Sequence, residues 1–344
     1  MHIGISTEHI SKIKIAAAIL TVIGVVLFAD MLWTVGLDEL WGGIERFGAV
    51  GFAVILALFF VRIVIRAYAW SLSVYGPYYL KMRQTVPAVV IGEATSSVIP
   101  LGILMSGTAK AVAVRDRVPL AVGLSSVATE NLFYSLVTSI FLVAGAVTFL
   151  RVSAVDEGWV WTINVLIVGI AAVLLFLILL VVKQWHFASE ACERLYRRGH
   201  FRSILENGRL EVRLFENMIF GFYRRYPKRF LPICLFEVLY HAAGIAETYY
   251  ILERLDPLRN SVMTSFLLES VSRLMAILFK LIPLTIGVDE AGAKFVGETV
   301  ALAAGVGVTL ALIRKGRMLF WTAIGFLLIV KRGLRFSSRP KTNT

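Results

Sequence analysis

The chain has 344 residues, 58% of them hydrophobic and 17% charged, with a mean hydropathy of +0.78. Soluble globular domains sit nearer half apolar and a quarter charged, so this composition excludes an ordinary water-soluble fold and points to a polytopic membrane protein. The formal net charge of +12 reads as basic cytoplasmic loops attracted to anionic headgroups, and nucleic-acid binding is not expected.

In chain order, Lys12 and Lys14 precede an apolar run from Ile15 to Ala29. No small-x-small cleavage pattern follows, and apolar character resumes through Met31–Leu37, so the run reads as an uncleaved first span at roughly 13–35. Further spans are expected near 48–68, 119–149, 159–182, 229–252 and 306–332. Segments 84–115 and 261–303 are also apolar, but a proline, glycines and charges interrupt each of them. Neither reads as a simple crossing. From Lys183 to Arg229, eleven basic residues face five acidic ones, with Trp185, Phe187, Tyr196, Phe201 and Phe215 among them. That pattern suits amphipathic helices on the inner leaflet.

Loop charges set the orientation. The tail carries Lys331, Arg332, Arg335, Arg339 and Lys341 without an acid, and Arg66, Lys81 and Arg83 follow the second span. The connections near 36–47 and 151–158 are slightly acidic, and 253–260 is neutral. These biases agree only if both termini are cytoplasmic and each interrupted segment returns to its own side. The expected fold is therefore all-α, with about six full transmembrane helices and two re-entrant helical hairpins. Along the chain this gives a first span and outer connection (1–47), one repeat half (48–150), a fourth span with a basic cytoplasmic segment (151–228), a second half (229–334) and a basic tail (335–344).

The halves are suggested by an internal match. SGTAKAVAV (106–114) aligns with EAGAKFVGE (290–298), placing Lys110 over Lys294. Twenty residues after each lysine comes a charge inside a spanning helix, Glu130 and Arg314. Pro100 and Pro283 precede them, and Glu93 and Glu269 sit earlier in each hairpin. Inverted repeats with broken, half-depth elements are the recurrent plan of secondary transporters, with the site near the midplane.

Glu269, Arg273 and Lys280 lie along one helical stripe. An ionised side chain at the bilayer centre costs at least ~2.5–3.5 kcal/mol, so such groups face the protein interior or a wet cavity. The stripe reads as a polar track or as a self-neutralising Glu269–Arg273 pair that pins packing. Pro283 to Glu290 has the look of a hairpin tip, bending at Gly287, with a half-helix starting near Gly292 and aiming its positive end at an anionic headgroup. Asp289 reads as an ordinary helix-start acid. Glu130 and Arg314 are expected to pair across a two-fold interface, as a gate or for stability alone. Glu237 and His241, one turn apart, form a candidate proton site. Arg62 and Arg66 share that spacing on the counterpart helix, and Arg66 is expected to snorkel to the interface.

Cys192 and Cys234 are too few and too far apart for a disulfide framework, and the five histidines lack metal-ligand spacing. No Walker, GxSxG or sugar-nucleotide motif is present, so neither a cofactor nor ATP is expected. The polar stretches are too short for a soluble catalytic domain, which weighs against an enzyme.

GEATSSVIPLGILMSGTAKAVAV with TENLFYSL, and PLTIGVDEAGAKFVGE with IRKGRMLFW, resemble the two signature regions of the lysylphosphatidylglycerol synthase transmembrane, or flippase-like, family. The resemblance covers nearly the whole chain. Pro100, Gly107, Lys110 and Glu130 stand in the places of the first signature, with Thr108 where an acid is usual and a lysine where arginine is usual. Pro283, Gly287, Val288, Glu290 and Ala291 meet the second, and Arg314 fits the family's intramembrane arginine. The resemblance implies movement of lipids between leaflets: anionic or aminoacylated phospholipids, or polyprenol and glycolipid cargo where relatives adjoin glycosyltransferases.

A lipid translocase in the cell's inner or plasma membrane is thus expected. Lys110, Lys280, Lys294 and Arg314 would bind phosphate, while Glu93, Glu130, Glu269 and Glu290 would balance charge. Membrane lipids are the expected partners, with a glycosyltransferase or lipid-modifying enzyme and a homodimer left open. A proton-coupled carrier of a small solute, using Glu237 and His241, is the alternative. A non-transporting membrane partner of a glycosyltransferase is the third possibility.

Overall fold

A computed structural model of the chain describes residues 36–98, 102–152, 157–183, 186–198, 202–279, 282–303 and 305–332, together with residues 26, 29, 33 and 35. The expected first span lies almost wholly outside these residues, as do Pro100 and Lys280.

Among the described residues there are eleven α-helices and no strand. They are α1 (Leu37–Leu72), α2 (Met82–Val98), α3 (Gly102–Ala113), α4 (Leu120–Val152), α5 (Glu157–Lys183), α6 (Phe187–Arg197), α7 (Arg202–Arg225), α8 (Phe230–Leu255), α9 (Val262–Leu278), α10 (Val288–Thr299) and α11 (Val306–Lys331). Four are long and apolar enough to cross a membrane: α1, α4, α5 and α8. Helix α11 matches α8 at 26 residues, but Arg314, Lys315 and Arg317 break its apolar run.

Residues 37–47, expected as a connection, are helical. Asp38 and Glu39 favour the helix start, and the break falls at Gly48, whose φ of 68° is accessible to glycine at little cost. Helix α5 packs on α4, and none of its most apolar stretch is buried, as befits a lipid-facing helix. Helices α6 and α7 pack on each other in the basic segment, and Ser189 N–H donates to Glu216. The end of α7 docks through Phe222, beside Phe133 of α4 and Ile233 of α8.

Neither interrupted segment is one continuous helix. Helix α2 folds back on α3, and α9 packs on α10. The rest of the packing has the same duality: α2 lies on α11 and α9 lies on α4. Ring contacts give the directions. Phe47 meets Tyr250 and Tyr68 meets Phe236, so α1 and α8 are antiparallel. Phe133 meets Phe230 and Thr138 bonds His241, so α4 runs with α8. Gly43 abuts Thr309 and Phe60 stacks on Trp321, so α11 runs with α1. Small residues allow these approaches. A Cβ on Gly123 would press on Ala111 of α3, and one on Gly307 would overlap the Ala293 carbonyl of α10.

The apolar core falls into layers. Phe47, Ile55, Phe149, Leu252 and Leu310 belong to one cluster, and Ile63, Trp70, Val89 and Val127 to another. On α11, Val306–Ile313 joins the first cluster and Trp321–Leu328 packs against the second, which leaves Arg314–Arg317 between them. The charges therefore sit midway along the helices.

Candidate functional site

Four helices deliver guanidiniums and carboxylates to one level. Arg62 of α1 donates to Glu247 of α8 at 3.2 Å and to Glu269 of α9 at 3.1 Å. Arg273, one turn after Glu269, donates to the same carboxylate at 3.1 Å. Arg314 of α11 donates to the other Glu269 oxygen and to Thr248, and Arg317 donates to Glu247. Arg62 is 2% exposed and Glu247 0%. Removing such charges from water costs several kcal/mol per ion, and that cost is recovered only because each carboxylate receives multiple charge-assisted hydrogen bonds. The Tyr240 ring lies within cation–π range of Arg62 (4.5 Å), Arg273 (5.4 Å) and Arg66 (5.6 Å).

A second cluster adjoins the first. Arg66 donates to Glu130 at 2.9 Å and to Asn131 at 3.2 Å, and its guanidinium lies 3.8 Å from Glu93. Lys110 of α3 is 3.7 Å from the other Glu130 oxygen. Arg66 is thus held, partly buried, in an ion-pair cluster instead of snorkelling, because two carboxylates and the Tyr134 face engage it.

A cavity of about 210 Å³ opens between the interrupted segments. Glu93, Ser96 and Ser97 of α2 line one side, Ile282, Leu284, Thr285 and Asp289 the other, and Arg62, Glu269, Arg273, Arg314, Lys315 and Arg317 the wall between. A second cavity of about 680 Å³ shares Glu93, Ser96, Tyr240, Arg273 and Ala276 with the first. It extends as a mostly apolar groove along Leu142, Val165, Leu166, Ile170, Val173, Leu274 and Ile277, between α4, α5 and α9. A charged chamber therefore adjoins an apolar groove walled in part by the lipid-facing α5.

The expected residues fall into groups. Glu93, Glu269, Arg273 and Arg314 line the chamber. Glu130 and Arg314 do not pair: Arg66 and Lys110 hold Glu130, and Glu269 and Thr248 hold Arg314. Glu290 is buried, accepts the Gly287 N–H at 2.9 Å and pairs with Lys315, so it fastens the start of α10 to α11. That start is Val288, earlier than expected, since Gly287 at φ 81° caps the helix and Pro283 opens a short 3-10 turn, Pro283–Thr285. Asp289 occupies the first turn and accepts from Ser272 at 2.6 Å. Lys294 lies elsewhere, 4.0 Å from Glu298 and beside Val35 and Gly305.

Glu237 and His241 are both buried. The His241 ring stacks on Phe141 and shares a hydrogen bond with Thr138 at 3.0 Å, while neither Glu237 oxygen has a hydrogen-bond partner among the described residues. No group of three or more His, Cys, Asp or Glu among the described residues could hold a metal ion.

Lys315 and Arg317 of the chamber, and Glu247 paired behind it, are residues that local spacing did not single out. Their signal was the bare presence of charge inside apolar helices.

The family model for the lysylphosphatidylglycerol synthase TM region matches residues 15–325. Neither the curated proteins nor the solved structures include a match to this chain.

Proposed function

Since the chain belongs to the lysylphosphatidylglycerol synthase TM region family, we propose that this multi-pass membrane protein is a lipid translocase and not an enzyme. An anionic phospholipid, or another lipid with a phosphate-bearing headgroup, would place that headgroup in the chamber and its chains in the groove. The adjacency of the two cavities, which share Tyr240, Arg273 and Ala276 in their walls, carries this reading. A purely polar pocket would suit a small ion, and a purely apolar one would suit a hydrocarbon. This one has the amphiphile's own division.

The transport cycle follows from the helix arrangement. We read α1–α4 and α8–α11 as inverted repeats, and α2–α3 and α9–α10 as re-entrant hairpins whose tips meet at the chamber. The antiparallel α1 and α8, and the matching placement of α2 on α11 and α9 on α4, support this. Rocking of one repeat against the other would expose the chamber to each leaflet in turn. Both chain ends then lie on the cytoplasmic side of the cell membrane.

One observation favours a second reading, a proton-coupled carrier. Glu237 is fully buried with neither oxygen hydrogen-bonded among the described residues, in a place where proton exchange would be consequential.

Reconstituted vesicles test both. Tail-labelled phosphatidylglycerol is expected to change leaflets faster than in protein-free vesicles, and faster than labelled diacylglycerol, which lacks the phosphate. No acceleration for any phospholipid removes the translocase reading. Uptake of a water-soluble solute driven by a pH gradient, abolished by Glu237→Gln, establishes the second.

A further inference from the structure

The Glu269 carboxylate receives guanidiniums from three helices: Arg62 of α1, Arg273 of α9 and Arg314 of α11. Such convergence is the coordination that arginines offer a phosphate group. It is also incompletely used. The Nε–H groups of Arg62, Arg273, Arg314 and Arg317 are all buried and lack an acceptor among the described residues. All four residues line the same chamber, and Arg62 and Arg314 are more than nine-tenths buried. Leaving a buried donor unsatisfied costs ~1–3 kcal/mol, so the cluster favours a further acceptor beside these arginines.

The ion pairs on this wall are shared unevenly. Four guanidiniums share two carboxylates, Glu247 and Glu269. Glu93, 3.8 Å from Arg66, and Asp289, which accepts from Ser272, add negative charge to the same lining. Lys315 is held by Glu290. Glu247 and Glu269 differ in one respect: Glu269 lines the chamber and Glu247 does not.

We infer that Arg62, Arg273, Arg314 and Arg317 form a phosphate-binding subsite in which Glu269 is a resident competitor. An arriving phosphate takes its place among the guanidiniums, and the carboxylate returns as phosphate leaves. The lipid headgroup is one source of that phosphate and inorganic phosphate is the other. Such an exchange keeps the arginines neutralised in the empty state, and it limits affinity so that the anion can depart. The inference rests on the chamber being a ligand site, but not on the ligand being carried across the membrane.

The test is a binding titration of purified protein in detergent, read by tryptophan fluorescence, because Trp321 lines the chamber. The two probes are inorganic phosphate and short-chain phosphatidylglycerol, with short-chain diacylglycerol as the phosphate-free control. Glu269→Gln is expected to bind at least one phosphate probe about tenfold more tightly than the unaltered protein, and Arg273→Gln about tenfold more weakly. Trp321→Phe is expected to abolish the signal, which places it in the chamber. Tightening with both probes assigns the phosphate group itself, and tightening with the lipid alone assigns the headgroup. If Glu269→Gln binds neither probe more tightly while keeping its thermal unfolding transition, the exchange does not occur. Should that variant fail to fold, unchanged affinity in Arg273→Gln overturns the site equally. Phosphate binding that obeys these expectations alongside vesicles that move no lipid would sink the translocase and leave this subsite standing.

Discussion

Arg62 lies between Glu247 and Glu269, 3.2 Å from one and 3.1 Å from the other, and so ties α1 to α8 and α9 at mid-length. Replacing it with glutamine takes one charge-assisted hydrogen bond from each of two buried carboxylates. Breaking one partner out of a buried ion pair costs ~3–5 kcal/mol, so Arg62→Gln is expected to lower the unfolding free energy by that amount in nanodiscs. Reducing the carboxylate charge as well, in Arg62→Gln with Glu247→Gln, is expected to recover part of the loss. A double variant whose loss equals the sum of the single losses would show that Arg62 and Glu247 are not coupled.

Gly244 makes room for the same cluster. A Cβ there would overlap Glu269 Oε1, lie 2.8 Å from its Cδ and lie 3.0 Å from Arg62 Nη2. Gly244→Ala is therefore expected to cost ~1–3 kcal/mol through overpacking. Gly169 of α5 has nothing within 4 Å of its added Cβ, so Gly169→Ala is expected to be neutral or stabilising by up to ~1 kcal/mol. Thermal unfolding of the two variants side by side checks the contrast, and equal effects would contradict it.

Two buried glutamates are expected to respond differently to amidation. Glu130→Gln leaves Lys110, 1% exposed, without its counter-charge, at a cost of ~3–5 kcal/mol. Glu237 has no hydrogen bond to lose among the described residues, so Glu237→Gln is expected to cost less than ~1 kcal/mol. The same unfolding measurement decides. A larger loss for Glu237 would mean that it holds a partner in the folded state.

Re-entrant hairpins predict sidedness. With Cys192 and Cys234 replaced by serine, single cysteines at Tyr79 and Asp116 flank α2–α3, and single cysteines at Leu258 and Ala301 flank α9–α10. All four positions are exposed. Tyr79→Cys and Asp116→Cys are expected to react with a membrane-impermeant thiol reagent from the cytoplasmic side. Leu258→Cys and Ala301→Cys are expected to react from the outer side. Opposite labelling within either pair would make that segment a crossing.

Much of the scaffold was legible because lipid imposes length and composition. The runs at 119–149, 159–182, 229–252 and 306–332 match α4, α5, α8 and α11 closely. Residues 37–47 were misread because their polarity resembles a connection, while acids in the first turn and the bend at Gly48 make them helical. The site was harder to read. An i,i+4 pair such as Glu269–Arg273 is visible in any helical segment. The partnerships of Arg62 with Glu247 and Glu269 span 185 and 207 residues, and no local spacing encodes them. Glu130 and Arg314 look like natural partners by position and charge, yet each found a nearer one once α2, α3 and α9 folded in.

The claim that chamber and groove form one path for an amphiphile is tested most directly at Ala276, which lines both cavities. Ala276→Trp fills the junction and leaves every charged chamber residue in place. Leaflet exchange of tail-labelled phosphatidylglycerol in vesicles is expected to fall at least about tenfold, while inorganic phosphate still binds with its original affinity. Exchange at the unaltered rate through a blocked junction would contradict the path.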